Sequence, residues 1–223
     1  MADSMETANF TNLVGGGEGN ENHNSKIMDL FNPQRRYEQI GNVIYMMSAP
    51  SVMHEAIIAE LIKQFGIYLD GKPCRVFGSN LGLDLKESIA AIKELPSFRS
   101  YFKKNIKKEK EEEAFLLPDI SVICGADKTR FSPHGYSGVP RMLIEVMSPS
   151  TAALDFEEKR SIYEAIGVGE YWVISDAQNV AAYVLHDGKF VKTLYHTEET
   201  TLEVPVSVFQ DLLIRFDKSK MEI

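Results

Sequence analysis

Two short apolar segments, each carrying one acid, constrain this chain more than any other feature. The first is Leu117-Pro118-Asp119-Ile120-Ser121-Val122-Ile123, and the second is Met142-Leu143-Ile144-Glu145-Val146-Met147-Ser148-Pro149-Ser150. Runs this short and this apolar read as buried strands. A carboxylate buried without a partner is costly. Each acid should therefore face a partner, a metal or a water-filled cleft. If the two strands are neighbours in one sheet, Asp119 and Glu145 lie close together. Two separate readings compete with a shared site: Asp119 capping a turn after Pro118, and Glu145 pairing with Arg141. Acids in consecutive buried strands are an uncommon pattern, and a single site explains both at once.

The rest of the chain reads as an α/β (α+β) domain with a mixed sheet flanked by helices. Residues 34–48 suggest an opening strand pair. Residues 52–70 predict a helix, because Ile57, Leu61, Phe65 and Tyr68 recur at spacings of three and four and Gly71 supplies a stop. Residues 74–85 read as strands around Gly78 and Gly82. Ser150 or Thr151 can cap a helix running to about Ile166 and ended by Gly167. Strands follow over Tyr171 to Ile174, Val180 to Leu185 and Phe190 to Leu194, with Asp187-Gly188 as a hairpin turn.

Residues 1–25, with Gly15-Gly16-Gly17 and many Asn, Glu and Ser, read as a flexible arm. Residues 26–223 then form a single domain, and 44% hydrophobic residues in 223 suffice for a core. Residues 86–114 differ in character. Their run from Lys103 to Glu113 is expected to be a solvated helix or mobile loop, with a phosphate-contacting arm as the alternative.

No stretch approaches the roughly 18 apolar residues of a membrane span, and no secretory signal is visible at the N-terminus. The expectation is a cytoplasmic chain with no membrane partner. Cys74 and Cys124 sit in apolar, strand-like contexts and are expected to be buried free thiols. The net charge of −8 argues mildly against nucleic-acid binding. A few local basic residues can still hold a phosphate backbone, and a metal site needs acids.

Lys159 lies four residues after Asp155 and four before Tyr163, so the three share one helix face. If Tyr163 faces the sheet, Lys159 is drawn toward it. There it can position an attacking water or bind a phosphate. The competing reading is a solvent-facing salt bridge from Asp155 to Lys159. His54 falls on the first helix with Ile57, Ile58 and Leu61. It is either a satisfied core histidine or a further member of the site.

At these residues the chain resembles the Uma-type family of putative restriction endonucleases, a bacterial branch of the PD-(D/E)XK nuclease superfamily. The resemblance spans roughly residues 35–215 and rests on motifs in order. These are His54, Gly82-Leu83, Pro118-Asp119-Ile120, Pro140 and Ile144 through Thr151, then Asp155, Lys159, Tyr163, Gly167-Val168 and Glu170 through Asp176. The resemblance implies a mixed sheet flanked by helices with a divalent-metal phosphodiesterase site, in which Asp119 and Glu145 are the two acids. The superfamily's usual lysine falls two positions after the second acid, where this chain has Met147. The resemblance places that lysine on the following helix, at Lys159. It also marks 86–114 as an insertion.

The leading expectation is an Mg²⁺- or Mn²⁺-dependent endonuclease hydrolysing DNA. Asp119 and Glu145 would hold the metal, with the Val146 carbonyl as a further ligand, and Lys159 would orient water or stabilise developing charge. His54 and Asp155 are candidate neighbours of that site. DNA is the expected partner and a homodimer is plausible, because double-strand cutting needs two sites. The alternative is a non-catalytic binding or assembly protein on a nuclease scaffold.

Overall fold

The computed structural model describes residues 37–40, 43–47, 49–88, 114–125, 127–133, 135–148 and 154–221. The expected arm over 1–25, the charged run 103–113 and the cap positions Ser150 and Thr151 lie outside them. The chain opens with β1 (Tyr37–Ile40), β2 (Val43–Met46), α1 (Val52–Leu69), β3 (Cys74–Gly78) and β4 (Leu83–Asp84). Next come β5 (Ala114–Leu116), β6 (Ile120–Cys124), β7 (Phe131–Ser132), β8 (Gly135–Tyr136) and β9 (Met142–Val146). A π-helical segment, Leu154–Lys159, runs into α2 (Arg160–Ile166). The chain closes with β10 (Glu170–Asp176), β11 (Asn179–His186), β12 (Lys189–His196), β13 (Thr201–Pro205), β14 (Leu213–Asp217) and α3 (Lys218–Met221).

The central sheet is mixed, in the order β12-β11-β10-β9-β6-β3, with β9 and β10 parallel and the other pairs antiparallel. A second sheet runs β2-β1-β5-β4-β8-β7, and β13 pairs β14 as a separate hairpin. This bears out the α+β reading with a mixed sheet flanked by helices.

Strand alternation divides the core in two. Ile120, Val122, Met142, Ile144, Val146, Trp172 and Ile174 face α1, whose Ile57, Ile58, Leu61, Phe65 and Leu69 are buried, together with Leu202, Val204, Ile214 and Phe216 of the β13–β14 hairpin. Ile123, Leu143, Tyr171, Val173, Ala181 and Tyr183 face the opposite way. They pack on Ile162, Tyr163 and Ile166 of α2 and on Ile40, Leu83, Leu116 and Tyr136 of the second sheet. The sequence reading ended its strands at Leu194 and did not foresee β13 and β14, although each alternates buried and exposed residues, as in Leu202-Glu203-Val204 and Ile214-Arg215-Phe216.

Ser51, which the sequence reading did not single out, caps α1 by accepting the His54 amide at 3.1 Å, which fixes His54 in the first turn. The stops after α2 and in the hairpin act as anticipated. Gly167 ends α2 at φ 89°, a left-handed conformation that glycine adopts without strain. Asp187 and Gly188 both have positive φ, 49° and 75°, as the hairpin turn requires.

The cysteine expectation is corrected. Cys74 and Cys124 are not free thiols but form a disulfide. The antiparallel register of β3 on β6 sets them directly opposite each other, with Cα atoms 4.0 Å apart. A separation of 50 residues in sequence gives no hint of that cross-strand pairing. Among the described residues no helix is long and apolar enough to cross a membrane.

Candidate functional site

The β6–β9 register builds the site. Ile120 pairs with Ile144, Ser121 with Leu143 and Val122 with Met142. Continuing that register by one residue sets Asp119 opposite Glu145. Opposed residues of an antiparallel pair share a face, here the face that carries Leu143 and Ile123. Asp119 is 4% exposed and Glu145 2%. Asp119 Oδ2 accepts the backbone amide of Val146 at 2.8 Å, so the residue after Glu145 locks the first acid beside the second. Asp119 does not cap its own turn, and the ion-pair partner of Glu145 is Lys159 rather than Arg141.

Three side chains reach these acids from helices. His54 Nε2 lies 3.1 Å from Asp119 Oδ2. Burial opposes a charged ring, but the hydrogen bond to Asp119 and the charges of Asp119 and Glu55 more than offset it, and the His54 pKa is raised. Lys159 Nζ donates to Glu145 Oε1 at 2.9 Å. It is 1% exposed, so the solvent-facing reading fails. The bridge from Asp155 to Lys159 does exist, at 3.2 Å, but inside the protein. Tyr163 faces the sheet and donates its hydroxyl to Glu145 Oε1 at 3.3 Å. Tyr171 donates to the Asp155 carbonyl at 3.0 Å.

The sequence did not single out Glu38. It is 1% exposed on β1, and its Oε1 lies 2.9 Å from Lys159 Nζ. Unlike Glu145, which sits between Ile144 and Val146, Glu38 lies between Tyr37 and Gln39. Gln39 beside it makes the segment look solvated.

Three buried carboxylates, those of Glu38, Glu145 and Asp155, thus surround one buried ammonium, and a fourth buried acid, Asp119, stands beside Glu145. Burial pushes Glu145 well above the ordinary glutamate range; Lys159 opposes this, while Asp155, Asp119 and Glu38 add to it. Burial opposes the charged form of Lys159, but Glu145, Glu38 and Asp155 outweigh it and raise the Lys159 pKa well above the ordinary lysine value. The cluster therefore carries surplus negative charge when its acids ionise, and an added cation would relieve it.

The residues present fit a hard divalent cation in chemistry. The donors are carboxylate oxygens, and Glu38 Oε2 is buried with no hydrogen-bond partner among the described residues. Among those residues no three His, Cys, Asp or Glu side chains are grouped as a ready-made cage. A magnesium-type site does not need one, since it uses one or two carboxylates and keeps several waters.

Glu170, also part of the recurring motif, lies elsewhere. It is buried at the far end of β10, where it accepts from Trp172 Nε1 at 2.6 Å and from the Val208 amide at 2.9 Å. It braces the strand against the turn before β14.

Mixed central sheet, flanking helices and a lysine-centred acidic site define a restriction-endonuclease-like α+β domain. The fold is shared with a crystal structure, at 1.96 Å resolution, of a protein from Anabaena variabilis ATCC 29413 described as a putative nuclease belonging to DUF820. The likeness has a TM-score of 0.58 at 17% identity and covers 87% of this chain and 96% of that one. The chain belongs to the Uma2 family, described as putative restriction endonuclease, whose profile matches residues 24–213. No curated protein matches it.

Proposed function

We propose that this protein is an Mg²⁺- or Mn²⁺-dependent endonuclease that hydrolyses DNA phosphodiester bonds. The observation that carries the reading is the opposition of Asp119 and Glu145 on adjacent strands, joined by the Val146 amide at 2.8 Å. Asp119 and Glu145 would hold the metal, with the Val146 carbonyl as a further ligand. A bound divalent cation supplies charge neutralisation at the phosphate and a more acidic water. Lys159 keeps the Glu145 carboxylate oriented and lowers the cost of ionising it. Because three carboxylates already surround its ammonium, it acts first through Glu145 rather than on a phosphate. His54 holds the other acid, through Asp119 Oδ2. Asp155 anchors Lys159 from its own helix.

The test is plasmid cleavage with Mg²⁺ or Mn²⁺. Nicking should require the metal and should vanish in Asp119→Ala and Glu145→Ala. Full activity in Asp119→Ala would overturn the assignment. A second reading, a binding or assembly protein on the same scaffold, draws on the burial of every acid to 4% exposure or less. No cleavage of any nucleic acid, together with no thermal shift on adding Mn²⁺, would favour it.

A further inference from the structure

The paired acids and their lysine leave Glu38 unexplained. It enters from the second sheet, on β1, and is 1% exposed. Its Oε1 meets two groups at once. Lys159 Nζ is 2.9 Å away, and the Leu117 amide donates to the same oxygen at 2.8 Å. Leu117 stands two residues before Asp119, across Pro118, whose ring fixes the backbone between them. Oε2 is buried without a hydrogen-bond partner among the described residues. A neutral side chain could accept the Leu117 amide without burying a further charge. Stability alone therefore gives little reason for an acid here, because buried charge clusters are commonly no better for the fold than well-packed neutral residues.

We propose that Glu38 is a positioning residue of the active site, fixing Lys159 and the Leu117–Asp119 turn against one another with a single carboxylate oxygen. Lys159 reaches Glu145 on β9 and Asp155 on its own helical segment. Neither contact draws it toward the strand that bears Asp119. Among the described residues Glu38 is the side chain that touches both Lys159 and the backbone leading into Asp119. A lysine stem is flexible, so the ammonium needs a fixed acceptor on that side to stay in one place. Glu38 thereby sets how the backbone leading into Asp119 and the Lys159 ammonium are held relative to one another. The catalytic consequence rests on the phosphodiesterase reading above; the positioning itself does not.

The experiment uses Glu38→Gln and Glu38→Ala in the full chain, with two readouts. The first is NMR of the Lys159 ammonium and of backbone amide exchange. The wild type should show a persistent Lys159 ammonium signal and protected Leu117 and Val146 amides. In Glu38→Ala that signal should broaden or disappear, and both amides should exchange about tenfold faster or more, as local opening does, while β10 and β11 keep their protection. Glu38→Gln retains an acceptor for Leu117, so it should disturb Lys159 more than the Leu117 amide. If Glu38→Ala fails to fold, the ammonium signal of Glu38→Gln decides the matter. Unchanged Lys159 signals, or a uniform loss of protection across the sheet, would overturn the proposal.

The second readout is cleavage kinetics. Glu38→Gln should lower kcat by about 10- to 100-fold, the range expected for misplacement of a catalytic group by about an ångström, with KM for DNA nearly unchanged. An unchanged kcat would overturn the positioning role. A wild type that cuts nothing would sink the nuclease reading instead, and the NMR arm would still decide Glu38.

Discussion

At Lys159 an ammonium that is 1% exposed meets Glu38, Glu145 and Asp155 at 2.9, 2.9 and 3.2 Å. Taking it away leaves three buried acids without their shared counter-ion, which is the expensive direction. Lys159→Met keeps most of the stem's bulk and removes the charge. It should cost about 3–5 kcal/mol at neutral pH, measured by urea unfolding. The sign of its pH dependence follows from the direction of the Glu145 shift. A carboxyl raised in the folded state gives full stability below its unfolded value, ordinarily 4.5, and loses it as pH rises through the folded value. Without Lys159 that rise is larger, so the deficit should be small in acid and grow toward neutrality. A deficit independent of pH would contradict this account. Asp119 and Glu145 were legible in the sequence because each interrupts an apolar run. Glu38 was not, because whether a lone acid in a mixed strand is buried depends on what later folds over it.

The elements place these groups by register. β6 and β9 are each five residues long, and slipping either by one residue would turn its acid to the α1 face. The helical segment that delivers Lys159 begins in π-helical form and tightens to an α-helix at Arg160; such local widening is frequently found at functional sites. Spacing put Asp155, Lys159 and Tyr163 on one face, and their contacts agree. Spacing gave no sign of the π-helical stretch. In the second sheet, β8 approaches Gly82 so closely that a Cβ at Gly135 would lie 2.1 Å from the Gly82 carbonyl oxygen, and Gly135 has φ 145°. Both the contact and the backbone angle exclude a side chain. Gly135→Ala should therefore lower stability by more than about 2 kcal/mol, read as a fall in the urea midpoint. A change within about 0.5 kcal/mol, the range of an ordinary surface substitution, would show that β8 can move away.

For the molecule as a whole, the Cys74–Cys124 disulfide ties the edge strand β3 to β6, the strand that opens just after Asp119. It closes a loop of 50 residues in sequence. Chain entropy assigns such a cross-link about 4 kcal/mol, acting mainly on the unfolded state. Reduction, or the paired change Cys74→Ser with Cys124→Ser, should lower unfolding stability by up to that amount. The protection of the Val146 amide in the folded state should remain, since the β6–β9 register does not depend on the bridge. If the reduced protein matches the oxidised one in urea, the cross-link contributes nothing to the fold.

By itself the sequence determined the fold class, the two acid-bearing strands, the shared face of Asp155, Lys159 and Tyr163, and the helix and hairpin stops. All of these are written in local spacing, because side-chain periodicity and turn chemistry act over a few residues. Tertiary structure decided the rest. It determined that Lys159 points inward, that Glu38 joins it from another sheet, that the Val146 amide locks Asp119, and that two distant cysteines face each other. Those outcomes depend on strand register and on which surfaces bury one another. No local pattern encodes them, because each partner lies many residues away along the chain.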